Sequence, residues 1–155
     1  MAGTLNFGSV TAKAINIGGN LSGAGTINMS GDGLAHTLSL RGAANTIGTL
    51  TTTNGSGSTV DYSLLGNQQV FVSANYQNLF IGGSGSKTFN AGSPITVNGD
   101  LTVNISSLNF DAVAARTLNV LGEVSGTGII DMSPGGNLAH TMTLSGASNN
   151  IGTFT

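Results

Sequence analysis

Residues 4–51 read TLNFGSVTAKAINIGGNLSGAGTINMSGDGLAHTLSLRGAANTIGTLT, and residues 107–155 read SLNFDAVAARTLNVLGEVSGTGIIDMSPGGNLAHTMTLSGASNNIGTFT. The second stretch repeats the first at an offset of 103 up to Gly33/Gly136, and of 104 beyond the inserted Asn137. Of the 48 positions in the first copy, 26 are identical, and substitutions such as Ile15/Leu118, Ile17/Val120 and Lys13/Arg116 keep the chemistry. Self-similarity on this scale marks a repeat architecture. The 155 residues divide into copy A (4–51), segment B (52–106) and copy A′ (107–155), one continuous body over 1–155. The order predicts a parent protein with further units, in which Met1-Ala2 reads as a start placed on an internal fragment. Met1-Ala2-Gly3-Thr4 has neither the basic nor the apolar region of a secretory signal.

A finer period lies inside the unit. Apolar-polar-apolar triplets recur as Leu5-Asn6-Phe7, Ile15-Asn16-Ile17, Ile27-Asn28-Met29, Leu38-Ser39-Leu40, Val60-Asp61-Tyr62, Val70-Phe71-Val72, Leu79-Phe80-Ile81, Ile95-Thr96-Val97 and Leu101-Thr102-Val103, with Ile47 to Leu50 of the same kind. Alternation with period two is the signature of a strand with one buried face. The centres fall roughly ten or eleven residues apart. The gaps hold Gly18-Gly19-Asn20, Gly82-Gly83-Ser84-Gly85 and Asn98-Gly99, residue types that accept tight turns. No helical spacing of apolar residues is sustained. Asp111 to Arg116 comes nearest, but its counterpart Gly8 to Lys13 is a poor helix former, so both read as loop or strand.

Short, evenly spaced strands suit a sandwich, a barrel or a solenoid. Only a solenoid can be extended by half a unit, because each turn touches only its neighbours. The predicted fold class is therefore all-β, a parallel β-helix (β-solenoid) built from tandem repeats, with two or three strands per turn of roughly 20 to 32 residues. One repeat unit then makes about five turns. The competing arrangement, a pair of immunoglobulin-like sandwiches, is disfavoured because copy A is too short for such a domain.

Composition excludes whole classes of function. Gly alone fills 25 positions, and Gly, Asn, Thr and Ser together make up half of the chain. Only 6% of the chain is charged, and the net charge is −2. This gives no electrostatic footprint for nucleic acid or an anionic membrane, and no apolar run is long enough to insert in one. The absence of Cys removes disulfides and thiolate metal sites.

Residues 60–103, VDYSLLGNQQVFVSANYQNLFIGGSGSKTFNAGSPITVNGDLTV, add a resemblance. They resemble repeats of very large secreted surface proteins of Bacteroidetes-type bacteria. There a Gln-x-Val…Tyr-x-Asn-Leu-x-Ile-x-Gly-Ser-Gly-x-Lys-Thr string precedes Val-x-Gly-x-Leu-Thr-Val. The matching residues are Gln69 and Val70 (shifted by one), Tyr76, Asn78, Leu79, Ile81, Gly83, Ser84, Gly85, Lys87 and Thr88, then Val97, Gly99, Leu101, Thr102 and Val103. Gly25 to Gly31, Gly-Thr-Ile-Asn-Met-Ser-Gly, is similar to the same family. The resemblance covers about two-thirds of the chain. It implies an extracellular, adhesin-like or stalk-like protein of the bacterial cell surface, and it supplies no catalytic residues.

Candidate site residues are few. His36 and His140 occupy one repeat position, Leu-Ala-His-Thr, and read as structural parts of the turn. Asp32, Glu123 and Asp131 change identity between copies, which argues against a general acid-base pair. Gly82 to Lys87 has the wrong spacing for a phosphate loop and lacks the Asp of calcium-binding repeats. No catalytic residue, metal ligand or cofactor is expected. Tyr76, between Asn75 and Gln77, is the expected exposed aromatic for carbohydrate contact, whereas the Phe residues of the strand triplets are expected in the core. Thr49-x-Thr51 and Thr153-x-Thr155 are reminiscent of ice-binding pairs but occur once per unit.

The expected function is a structural or adhesive repeat region, an extended spacer or fibre whose partners are a surface polysaccharide or a host surface. The alternatives are a carbohydrate-active β-helix that binds or cleaves polysaccharide, and a filament subunit that self-associates end to end.

Overall fold

The computed structural model describes residues 3–8, 10–53, 56–72, 76–90, 92, 94–104, 106–133 and 137–155. Among them there is no helix, and every strand pairing is parallel. The chain coils as a β-solenoid. A first turn carries β1 (Thr4–Asn6) and β2 (Ala14–Ile17), and a second β3 (Thr26–Asn28) and β4 (Thr37–Leu40). A third carries β5 (Thr49–Thr51), β6 (Thr59–Tyr62) and β7 (Gln68–Val70), and a fourth β8 (Asn78–Ile81) and β9 (Ser86–Phe89). A fifth carries β10 (Ile95–Val97), β11 (Leu101–Val103) and β12 (Ser107–Asn109). The sixth holds β13 (Thr117–Val120) and β14 (Val124–Asp131), and the last β15 (Thr141–Leu144) and β16 (Asn150–Phe154).

Stacking of the turns makes three faces. Face two runs unbroken through β2-β4-β6-β8-β11-β14 to the start of β16. Face three runs through β7-β9-β12 to the second half of β14 and of β16, and is prefigured below by the single bridge Ser22–Thr46. Face one has a lower sheet, β1-β3-β5, and an upper sheet, β10-β13-β15. Between them Gln77 N–H donates to Thr52 Oγ1 (2.6 Å), and Tyr76 bridges to Val97. β14 turns the corner from face two to face three through an irregularity between Gly126 and Ile129. Both arrangements left open by the sequence occur on this three-faced frame: the third and fifth turns carry three strands, and the other turns carry two.

Register follows from side-chain alternation. On face two, Ile15, Leu38, Val60, Leu79, Leu101 and Val124 are successive partners, and all but Ile15 are buried. A slip of one residue would exchange this row for Asn16, Ser39, Asp61, Phe80, Thr102 and Ser125, so the apolar pattern pins each turn on the last. Two strands depart from the triplets. β7 is Gln68–Val70 rather than 70–72, and β9 forms where no triplet exists. In both, an inward polar residue (Gln68, Lys87) hides the alternation.

The copies share local structure but not position on the rod. Asn45 Oδ1 accepts from Leu21 N–H, and Asn45 Nδ2 donates to Gly42 O (3.2 and 2.9 Å). Asn149 repeats both bonds with Val124 and Gly146 (2.9 and 3.0 Å). Yet Leu21 and its Asn45 partner lie at the start of face three, whereas Val124 lies on face two. Likewise β2 is on face two but its counterpart β13 is on face one, and β1 is on face one but its counterpart β12 is on face three. Five turns above Ile15 the register row reaches Val124, which makes a turn about 22 residues long on average. The repeat counterpart of Ile15 is Leu118, which the chain reaches before that fifth turn closes. One repeat is thus about four and two-thirds turns rather than five. The second copy is set one face back around the rod.

Corners where turns approach most closely exclude side chains. Gly126 has φ 116°, a conformation L residues rarely adopt, and a Cβ there would collide with the Val103 carbonyl. Gly31 has open space around it. Gly126→Ala should therefore cost about 1–3 kcal/mol and lower the denaturation midpoint, while Gly31→Ala should be near neutral. Chemical denaturation of the two variants checks this, and equal effects would contradict the close corner packing.

Candidate functional site

The repeat histidines sit inside the wall between turns. The loop after β1 brings Lys13 N–H to His36 Nδ1 (2.9 Å), and the equivalent loop brings Arg116 N–H to His140 Nδ1 (3.0 Å). An Nδ1 that accepts from an amide carries no proton, so in His36 the proton is on Nε2, facing both Asp32 oxygens at 3.0 Å. Phe7 meets His36 edge-on at 5.2 Å, and Phe110 meets His140 at 5.3 Å. Both rings thus bind one turn to the next. The Leu34 amide first, and then His36, hold the Asp32 carboxyl below its usual range. In copy A′, Asp32 is replaced by Gly135, outside the described residues. In that copy Asp111, on the other loop, is ion-paired with Arg116.

The glycine-rich corner 82–87 is filled by its own lysine. Lys87 alternates with Phe89 on β9, so both point inward and both are buried. Its ammonium donates to the carbonyls of Leu64 (2.8 Å), Gly66 (2.6 Å) and Ser84 (2.6 Å), and burial lowers its pKa. Gln68, its register partner on β7, does similar work below, donating to Leu40 O (2.8 Å) and Gly42 O (2.9 Å). Neither group is available to a ligand. Among the described residues no three His, Asp or Glu side chains gather as metal ligands.

Tyr76 is not where the sequence reading put it. It was expected to be exposed, and it is fully buried, with 0% of its surface accessible. Its neighbour Asn75 lies outside the described residues. Phe71 N–H donates to Tyr62 Oη (3.2 Å), Tyr62 O–H to Tyr76 Oη (3.0 Å), and Tyr76 O–H to the Phe71 carbonyl. This closed circuit satisfies two phenols inside the core at the break in face one. A ring without accessible surface cannot stack on a sugar.

The aromatic that faces outward on face two is Phe80, contrary to its expected place in the core. As the middle residue of Leu79-Phe80-Ile81 it occupies the outward position of β8, which the alternation itself signals. It is half-buried, lies over Gly82, and stands between Asp61 and Thr102. Asp61 is held by Arg41 Nη2 (3.0 Å), Ser39 Oγ (3.1 Å) and Ser63 Oγ, and Arg41 is the more exposed partner at 36%. A shallow polar cleft of about 310 Å³ opens on face three, lined by Ala43, Ala44, Asn67, Gln69, Ser86 and Thr88 together with Gln68. On face one Thr4, Thr26 and Thr49 stack in register, as do Asn6, Asn28 and Thr51, so Thr-x-Asn pairs at β1 and β3 lie in line with the Thr-x-Thr pair of β5.

Burial pushes the Tyr62 phenol up to about 12 and that of Tyr76 well above its usual 10. A pKa raised on folding favours the neutral phenol in the folded state. Its stability contribution is complete below pH 10 and is lost as pH rises from 10 through 12. The melting temperature should fall over that window, and tyrosinate absorbance should appear only with unfolding. Tyrosinate forming near pH 10 in the folded chain would contradict the buried circuit.

No protein-family model matches the chain, and no match is found among the curated proteins or among the solved structures.

Proposed function

We propose that the chain is a structural spacer, a section of a rod on the outside of a bacterial cell that holds binding surfaces away from it. The observation that carries this reading is the unbroken face two. It spans seven levels from β2 to β16, and one inward apolar row, Ile15 to Val124, joins the first six, so length grows by adding turns, without hinges. The ionisable groups support it. Asp32 with His36, Asp61 with Arg41 and Asp111 with Arg116 are each engaged by a neighbour, in arrangements that brace turns and corners. Parallel turns are about 4.8 Å apart, so four and two-thirds turns add about 22 Å per repeat. Chains with one, two and three added B–A units should show maximum dimensions in small-angle X-ray scattering that rise by about 22 Å per unit. Growth with the scatter of jointed beads would contradict the rod. Antibody against the chain should label intact source cells.

A second reading, polysaccharide contact, is favoured by Phe80 beside the Arg41–Asp61 pair. An aromatic face next to charged hydrogen-bonding groups is the usual sugar platform. Phe80→Ala should abolish retention on an immobilised polysaccharide panel while leaving the melting temperature within a few degrees. Unchanged retention would remove face two as the contact surface.

A further inference from the structure

The repeat allows each end of the rod to be compared with the same layer in the interior. Leu5, Ile15, Ile17 and Leu21 line the underside of copy A. Leu5 is 36% exposed and the others are half-buried. Their counterparts Leu108, Leu118, Val120 and Val124 are all at 0–1%. What covers them is the top of segment B: β12 sits on β9, β13 on β10, and Val124 on Leu101 of β11. The upper end shows the converse. Leu144 and Phe154 are 41% and 49% exposed and Met142 and Ile151 half-buried, whereas Leu40, Leu50, Leu38 and Ile47 are all at 6% or less. Those residues lie under the start of segment B, where β6 sits on β4 and Gln77 is bonded to Thr52 above β5.

We propose that both end layers are docking surfaces for a B-type segment, one with the sequence character of residues 52–106, and not for a second A-type layer. The lower layer takes the upper edge of such a segment, in the manner of β9, β10 and β11. The upper layer takes its lower edge, in the manner of β6. The partner's chemistry is stated by the interior junctions. It offers parallel edge strands, inward apolar residues at Val60, Tyr62, Val97 and Leu101, and corners of glycine or small polar residues that permit close approach. Two intact chains cannot satisfy this, because in each of them segment B is already covered on both sides. Head-to-tail stacking of intact chains would set A′ directly on A, a junction that does not occur among the described residues. B-on-A and A-on-B junctions alternate, and each fixes its own register. The inference takes its biological setting from the spacer reading, but it concerns edge recognition and is tested separately from length.

The test extends the full chain at its C-terminus with either residues 52–106 or residues 4–51, and follows amide hydrogen exchange of β15 and β16 in the part common to both. The B extension should slow exchange there on the order of 10–100-fold, as for strands moved from a frayed edge into the interior. The A extension should leave it within about twofold of the unextended chain. Phe154→Asp should erase the protection in the B-extended chain and change little in the unextended one. Equal protection by both extensions, or none from the B extension, would overturn the proposal. Neither result depends on whether the parent rod is a spacer.

Discussion

In-register stacking of each turn on the turn before it governs the rest of the molecule. Within the strands, main-chain N–H and C=O groups are satisfied by the adjacent turns, so each strand lies over its predecessor with inward residues on inward residues. Corners then run close together. Gly42 lies so near Asn20, and Gly126 so near Val103, that no side chain fits between them. Carbonyls stranded at the corners need donors, and Asn45, Gln68, Lys87 and Asn149 supply them from side chains. The scarcity of charge and the abundance of Gly, Asn, Thr and Ser are consequences of this geometry.

Stacking also explains why the sequence repeat and the structural turn are not commensurate. Turn length is set by what each corner needs, and it varies: the step from Val60 to Leu79 is shorter than the step from Leu38 to Val60. Five such turns carry Ile15 to Val124, past the repeat counterpart Leu118, so the second copy begins before a whole number of turns is complete. Local chemistry is carried along intact, as the Asn45 and Asn149 bonds show, while the face that presents it changes. A rod made in this way shows each repeat-borne feature on successive faces, spreading its surfaces around the axis rather than along one side.

The fold was legible because repetition and alternation are direct images of stacking and of the pleat. The Leu38 and Leu101 triplets became strands facing the core as their period requires. Legibility failed where a polar residue took an inward position. Lys87 concealed β9, and two phenols satisfying one another hid Tyr76 in the core, a pairing between Tyr62 and Tyr76 that no local pattern announces. The outward place of Phe80 is legible, since the middle position of an alternating triplet turns it away from the core. The phase of the second copy was beyond the sequence, because the spacing of triplets does not reveal how many strands one turn holds.

The central claim, a three-faced solenoid whose second copy is displaced by one face, is open to direct measurement by pulsed electron resonance between paired spin labels. Asn16 and Ser125 lie five turns apart on one register row, so labels there should lie about 24 Å apart in a narrow distribution. Asn119 is the repeat counterpart of Asn16 but lies on face one, so the Asn16–Asn119 distance should be the longer. An Asn16–Asn119 distance shorter than Asn16–Ser125 would mean that the copies lie directly above one another, and would contradict the account.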